Sequence, residues 1–171
     1  MDSTDAQLVE RARRGDGDAF ELLVRRHLRA AYLTAVAIVH EPADADDVCQ
    51  DAFISALERL EDCRKPDRFL AWLLQIVRNR ARSFHRYRQV RDARPLDSVA
   101  GQADGASDPE RDAERSELRT RLSEEMRNLS DVQRQIVLLH DLEGWRHREI
   151  AELLAMPVGT VRAHLSYARR T

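Results

Sequence analysis

The chain has 171 residues, of which 43% are hydrophobic and 34% charged, and its formal net charge is −2. This composition is typical of a soluble globular protein of one domain or two small ones, and it excludes a protein that is cationic throughout, so nucleic-acid binding would have to come from local patches. No run of about eighteen apolar residues occurs and the N-terminus is too charged for a signal peptide, so we expect a cytoplasmic protein without membrane insertion.

Two cysteines, Cys49 and Cys63, are the only ones in the chain. Neither belongs to a C-x-x-C motif or a His–Cys cluster, the spacings on which zinc sites and disulfide frameworks depend. We therefore expect buried, reduced thiols with no redox role, and neither a metal nor a cofactor.

Two amphipathic helices are predicted at the start of the chain. The first spans residues 5–14 and ends at Gly15-Asp16-Gly17, and its inner side consists of Leu8, Val9 and Ala12. The second begins at Asp18, with Asp16 or Asp18 as its cap. Its apolar positions recur at intervals of three and four residues and are Phe20, Leu23, Val24, His27, Leu28, Ala31 and Ala35.

A third helix is predicted from Pro42 to about Leu60, and one of its faces is strongly acidic. The apolar positions are Val48, Ala52, Leu57 and Leu60. They alternate with Asp44, Asp46, Asp47, Gln50, Asp51 and Glu58. Such a face is either ordinary solvated surface or the binding surface for a partner distinct from that of the arginine-rich helix that follows.

The stretch from Phe69 to Arg91 changes character halfway along one helical pattern. Its first half places Phe69, Trp72, Leu73, Ile76 and Val77 on one buried face. Its second half contains six arginines and no acid, and Arg78, Arg82 and Arg86 form a stripe with Asn79 beside it. Guanidinium groups with nearby aromatic and amide side chains suit phosphate contact and base stacking, although a solvated arginine face would look the same in sequence.

Composition changes after Arg91. Residues 92–117 contain eight acidic residues and three arginines among scattered glycines and prolines. We expect residues 92–108 to form a flexible, acidic linker, because they cannot bury enough apolar surface to fold. A helical pattern resumes near Pro109 and continues through Leu118, Leu122 and Met126 to Leu129.

The last 42 residues contain one clear start signal for a helix, followed by the pattern of two short helices. Ser130 and Gln133 form an S-x-x-Q capping box before the apolar run 136–139. Two short helices follow, over 146–154 and 158–170, joined by a tight turn at Ala155-Met156. Ile150, Ala151 and Leu154 are predicted to face inward in the first, and Val161, Leu165 and Ala168 in the second. This pattern is typical of a helix-turn-helix that presents its second helix to the major groove.

These segments together resemble a sigma factor of the extracytoplasmic-function group of the sigma-70 family. EIAELLAMPVGTVRAHL (149–165) is similar to the family's sigma-four helix-turn-helix, and DADDVCQDAFISALERL (44–60) to its polymerase-binding helix. FLAWLLQIVRNRARSFHR (69–86) resembles the helix that captures the melted minus-ten element. The resemblance implies an all-α fold with a sigma-two-like bundle (1–91), a flexible linker (92–108) and a sigma-four-like domain (109–171).

The resemblance also implies three sets of site residues, none of them catalytic. Core RNA polymerase would be contacted by Asp46, Asp47, Gln50 and Asp51. Minus-ten DNA would be contacted by Arg64, Lys65, Asp67, Trp72, Arg78, Asn79, Arg82 and Arg86, with Asn79 reading a flipped base and the Cys63–Arg68 connection closing its pocket. Minus-thirty-five DNA would be contacted by Thr160, Arg162, Ala163, His164, Ser166, Tyr167, Arg169 and Arg170.

Three positions depart from the family pattern. Ala155 occupies a turn position that is usually Gly, and a non-Gly residue in a left-handed conformation costs on the order of 1–2 kcal/mol. His164 and Tyr167 replace arginines that are common on the recognition face, and Ala163 replaces a common Ser. We therefore expect an unusual upstream DNA specificity.

The function implied is promoter-specific transcription initiation under the control of an anti-sigma factor, by a protein that is not an enzyme. Its partners would be core RNA polymerase and promoter DNA, both duplex and melted. Two alternatives belong to other classes: a sigma mimic that titrates an anti-sigma factor, and a free-standing helix-turn-helix repressor. An RNA-binding protein would explain residues 69–91 but not residues 145–170.

Overall fold

The computed structural model describes residues 3–92 and 125–170, with side chains for residues 3–90 and 125–170. Over these ranges the fold is helical without strands, which confirms the predicted all-α class. The predicted linker, apart from Asp92, and most of the helix predicted from Pro109 lie outside the described residues. No helix in the described ranges is long and apolar enough to span a bilayer.

Four helices form the N-terminal bundle: α1 (Asp5–Arg13), α2 (Gly17–Val39), α3 (Pro42–Glu58) and α4 (Phe69–Asp92). Caps explain where they start. Thr4 and Gln7 form a reciprocal capping box on α1, Asp16 accepts a hydrogen bond from the Ala19 amide at 3.1 Å, and Pro42 occupies the first turn of α3. Two 3₁₀ turns, Leu60–Asp62 and Pro66–Arg68, connect α3 to α4.

The bundle core lies where α2, α3 and α4 meet. Phe69, Leu73 and Val77 are fully buried as predicted. Leu74 and Ala81 are also buried, whereas Trp72 and Ile76 are only half-buried, so the inner face of α4 is rotated from the predicted one. Two other predictions were wrong: Leu28 and Leu57 follow the apolar pattern but are 49% and 50% exposed, since no helix of the described ranges covers them.

The C-terminal domain consists of α5 (Asp131–Val137), which continues as a π-helical turn over Leu138–Leu142, then α6 (His147–Leu154) and α7 (Val158–Ala168). Ser130 and Gln133 make the predicted capping box, with bonds of 3.3 and 2.8 Å. Its core contains Ile136, Leu139, Ile150, Val161 and Leu165. The sequence pattern predicted Leu154 on the inner face, but Leu153 is buried there and Leu154 is only half-buried.

The two domains pack against each other along α2. Arg134 of α5 is 5% exposed and donates hydrogen bonds to the carbonyls of Ala37, Met126 and Leu129. Gln135, 3% exposed, donates to the Thr34 hydroxyl at 2.7 Å. At the rim, Arg29 of α2 forms an ion pair with Glu143. The centre of the contact between the domains is thus a buried arginine, and an apolar sequence pattern does not predict such a residue.

Candidate nucleic-acid and polymerase interfaces

A cavity of about 640 Å³ lies beside the middle of α4. Six of the eight residues predicted to contact minus-ten DNA line it: Arg64, Lys65, Trp72, Arg78, Asn79 and Arg82. Arg86 lies one turn further on and lines a smaller cavity that shares Arg82. Asp67 is exposed in the Pro66–Arg68 turn and is not among the lining residues. The fold therefore brings an amide, an aromatic ring and several cations to one concave site.

The guanidinium groups of Arg78, Arg82 and Arg86 make no ion pair with any residue in the described ranges. Burial lowers the pKa of Arg78 from its usual value and neighbouring Arg82 adds to the effect, but a guanidinium remains charged at neutral pH. Arg88, only two residues from Arg86, pairs instead with Asp44 of α3. Of the three arginines only Arg78 is half-buried, and Arg82 and Arg86 are exposed. A half-buried cation without a counterion, such as Arg78, is costly in the free protein, and an incoming phosphate would offset that cost.

The connection between α3 and α4 forms one wall of the cavity. Arg13 of α1 anchors this connection by hydrogen bonds. Its guanidinium donates to the Cys63 carbonyl at 2.6 Å and to the Leu60 carbonyl at 3.2 and 3.4 Å. Sequence reasoning missed Arg13, since an arginine at the end of a short helix looks like surface. It also missed Arg68 and Gln75, which line the same cavity.

The acidic face of α3 is solvent-exposed as the sequence suggested. Asp46, Asp47, Gln50 and Asp51 are all exposed. Beside them lie Ile54 and Leu57, each 50% exposed. Residues 47, 50, 51, 54, 57 and 58 share one side of a helix, so two apolar side chains extend the acidic surface. Exposed Ile and Leu next to carboxylates suit a partner that is itself a basic, amphipathic helix.

The helix-turn-helix of α6 and α7 has the predicted turn. Ala155 ends α6 in the left-handed region, with φ of 52° and ψ of 46°. Along α7, Arg162, Ala163, Ser166 and Tyr167 are exposed, and Thr160 and His164 are half-buried. Arg169 pairs with Asp141 at 2.8 Å, and Arg170 donates to the Ser166 hydroxyl at 3.0 Å. Arg162 is thus the one arginine of the predicted set within α7 itself.

Both cysteines are buried and reduced, as predicted. Burial raises the pKa of the Cys49 thiol to about 12, and burial also raises that of Cys63. Thiolates are the reactive form, so neither thiol is activated. Within the described residues, no group of three or more His, Cys, Asp or Glu side chains is placed to hold a metal ion.

A helix-turn-helix packed beside a bundle whose cavity arginines make no ion pair among the described residues is typical of a DNA-binding protein. Comparison with known families agrees: residues 23–91 match Sigma-70 region 2 and residues 119–171 match Sigma-70, region 4. The RNA polymerase sigma-H factor of Pseudomonas aeruginosa is 34% identical over 96% of this chain and 90% of its own length. The ECF RNA polymerase sigma-E factor of Escherichia coli K12 is 33% identical over 97% and 91%.

Two solved structures are similar across both domains. CnrH, in complex with the cytosolic domain of CnrY, has a TM-score of 0.68 and 30% identity, covering 98% of this chain and 94% of that one. RpoE of Bartonella quintana, in complex with the anti-sigma factor NepR, has a TM-score of 0.58 and is similar in fold, with 24% identity over 88% and 92%. The chain belongs to the extracytoplasmic-function group of the sigma-70 family, and it is a sigma factor, a specificity factor for transcription initiation.

Proposed function

We propose that this sigma factor divides its work among three surfaces. The acidic face of α3 binds core RNA polymerase, the α4 cavity captures the melted minus-ten element, and α7 docks on duplex minus-thirty-five DNA. The functional units are residues 1–91 and 109–171, joined by residues 92–108. In this scheme the protein acts in the cytoplasm with the polymerase, and it does no covalent chemistry and needs no cofactor.

The observation that carries the proposal is the convergence of Trp72 and Asn79 on one cavity with Arg78 and Arg82, two arginines that make no ion pair among the described residues. Flipping a base out of the stack costs a few kcal/mol, and a pocket that offers stacking and hydrogen bonds offsets this cost for the base that fits. The Asn79 amide can both donate to and accept from a base edge. Trp72 supplies an aromatic surface, and Arg78, Arg82 and Arg86 are available for backbone phosphates.

On α3, four polar residues and two apolar ones make different contributions to polymerase binding. The acidic groups Asp46, Asp47 and Asp51 steer a basic partner to this surface, and Gln50 adds a neutral hydrogen-bonding group. Ile54 and Leu57 supply apolar area that is buried on binding. The separation of this acidic surface from the arginines of α4 lets one small bundle bind a protein and DNA at once.

Upstream recognition rests on a face of α7 that has few cations. Thr160, Ala163 and His164 reach the groove, with Arg162 the principal phosphate contact and Ser166, Tyr167, Arg169 and Arg170 extending the surface. Because Arg169 is already paired with Asp141, its contribution to affinity is smaller than that of an unpaired arginine. The affinity for isolated minus-thirty-five duplex is therefore low, and polymerase must supply the rest.

Control by an anti-sigma factor is the remaining part of the proposal. The two similar solved structures are both complexes, one with CnrY and one with NepR. An anti-sigma factor that binds this chain would exclude polymerase by covering the acidic and apolar face of α3. Arg78, Arg82 and Arg86 make no ion pair within the described part of the chain, and they argue against the alternative of a sigma mimic, since a protein that does not bind DNA has no use for such cations.

A matched pair of arginines tests the α4 assignment. Arg82→Gln removes a cavity cation that has no ion-pair partner in the described ranges, whereas Arg88→Gln removes one that is paired with Asp44. With reconstituted polymerase, Arg82→Gln should reduce the dependence of promoter binding on log salt by about one unit and weaken initiation. Arg88→Gln should leave both near wild type. Equal effects of the two substitutions would contradict the assignment.

A further inference from the structure

The wall of the α4 cavity is held by a helix that lies outside the matched family region. Residues 23–91 match Sigma-70 region 2, whereas α1 ends at Arg13. Arg13 is largely buried, with 17% of its side chain exposed, and three of its hydrogen bonds go to main-chain carbonyls of the α3–α4 connection. Glu10 pairs with its remaining nitrogen at 2.7 Å.

The three hydrogen bonds from Arg13 hold the α3–α4 connection in position, and none of them belongs to the backbone hydrogen bonds of an α-helix. The Cys63 carbonyl directly precedes Arg64 and Lys65, two residues that line the cavity. The Cys63 side chain is fully buried, and its thiol contacts the Lys65 carbonyl at 3.7 Å. The Arg13 guanidinium of α1 therefore fixes the position of the segment that carries Arg64 and Lys65 at the cavity.

We propose that Arg13 is a positioning residue for base selection at the minus-ten element. It does not touch DNA, and it acts by holding Arg64 and Lys65 at the cavity mouth. The inference rests on the proposed function of the α4 cavity. Its structural half, which is that Arg13 orders the connection, stands independently of that function.

Arg13→Met keeps the aliphatic stem and removes every donor, and Arg13→Lys keeps one donor group and the charge. Arg14→Met is the matched control, because Arg14 is exposed at the end of the same helix. In the free protein, amide hydrogen exchange over residues 60–68 should become at least fivefold faster in Arg13→Met, by a smaller factor in Arg13→Lys, and not at all in Arg14→Met. Unchanged exchange in Arg13→Met would overturn the proposal, whether or not the chain initiates transcription.

The functional readout is base preference in initiation from a promoter library randomised at the minus-ten element. Arg13→Met should relax preference at one position of that element severalfold, while minus-thirty-five preference and polymerase binding stay at wild-type levels. A uniform loss of initiation with unaltered base preference would assign Arg13 a structural role only and overturn the proposal. Failure of the wild type to initiate would instead refute the proposed function.

Discussion

Ala155 adopts a backbone conformation that is unfavourable for any residue other than Gly. Its φ of 52° lies in the left-handed region, where a non-Gly residue is strained. Ala155→Gly should raise the free energy of unfolding of the C-terminal domain by about 1 kcal/mol, because Gly adopts this conformation without a Cβ clash. Ala163→Gly, in the middle of α7, should lower it by a similar amount. Urea denaturation followed by circular dichroism measures both, and a destabilising Ala155→Gly would refute the strain argument.

His27 is a second residue with a measurable signature. It is 7% exposed, lies 5.7 Å from the Phe69 ring between centroids, and hydrogen-bonds through Nε2 to the Asp5 carboxylate at 2.8 Å. Burial lowers the pKa of His27 below its usual value, and this effect outweighs the opposing charge of Asp5. The folded state thus prefers the neutral ring.

This preference makes stability depend on pH in a known direction. Below about pH 6.5 the unfolded chain takes up a proton that folded His27 resists, so the free energy of unfolding falls as the pH drops from there to the lowered folded pKa. Above about pH 7 the contribution is complete. Titration of the His27 ring by NMR should give a midpoint below 6.5, and His27→Gln should reduce the loss of stability between pH 7 and 5.5. A midpoint above 6.5 would mean that Asp5 dominates.

At the scale of elements, the capping box at Ser130 and Gln133 correctly predicted where a helix begins. Ser130 and Gln133 were identified from spacing alone, and both hydrogen bonds are present. Ser130→Ala should lower the free energy of unfolding of the C-terminal domain by about 1 kcal/mol, since the first turn of α5 loses an acceptor for its amides. Ser83→Ala, at an exposed position in α4, is the control and should change stability little. Thermal unfolding measures the difference, and equal shifts in the two variants would contradict the capping role.

Helix ends and inner faces were harder to predict, for physical reasons. Periodicity shows which side of a helix is apolar but not how much of it a neighbour covers, so Leu28 and Leu57 looked buried and are half-exposed. The inner face of α4 is shifted toward Leu74 and Ala81, which are both fully buried, and apolar periodicity alone does not fix which edge of an apolar face meets a neighbouring helix. The recognition helix ends at Ala168 rather than Arg170. The amides of Arg169 and Arg170 still donate to the carbonyls of Leu165 and Tyr167, so the two residues cap the helix instead of extending it.

At the scale of the whole molecule, the sequence predicted two helical domains and a set of minus-ten residues of which six of eight line one cavity, but it did not predict the contact between the domains. That contact depends on Arg134, which binds three carbonyls and so behaves as a capping group inside an interface. No periodic pattern marks such a residue, since arginines are normally assigned to the surface. For the same reason Arg13 was recognised only once its carbonyl partners were known.

The assignment of three surfaces to polymerase, single-stranded DNA and duplex DNA is tested most directly by one reconstitution. The purified chain and core RNA polymerase are tested for co-elution, and the transcripts initiated on genomic DNA are then sequenced. We predict co-elution and a set of new start sites with shared upstream motifs. In Asn79→Ala we predict that co-elution persists and those starts disappear, whereas Ser83→Ala keeps both. Absence of co-elution, or start sites that survive in Asn79→Ala, would contradict the account.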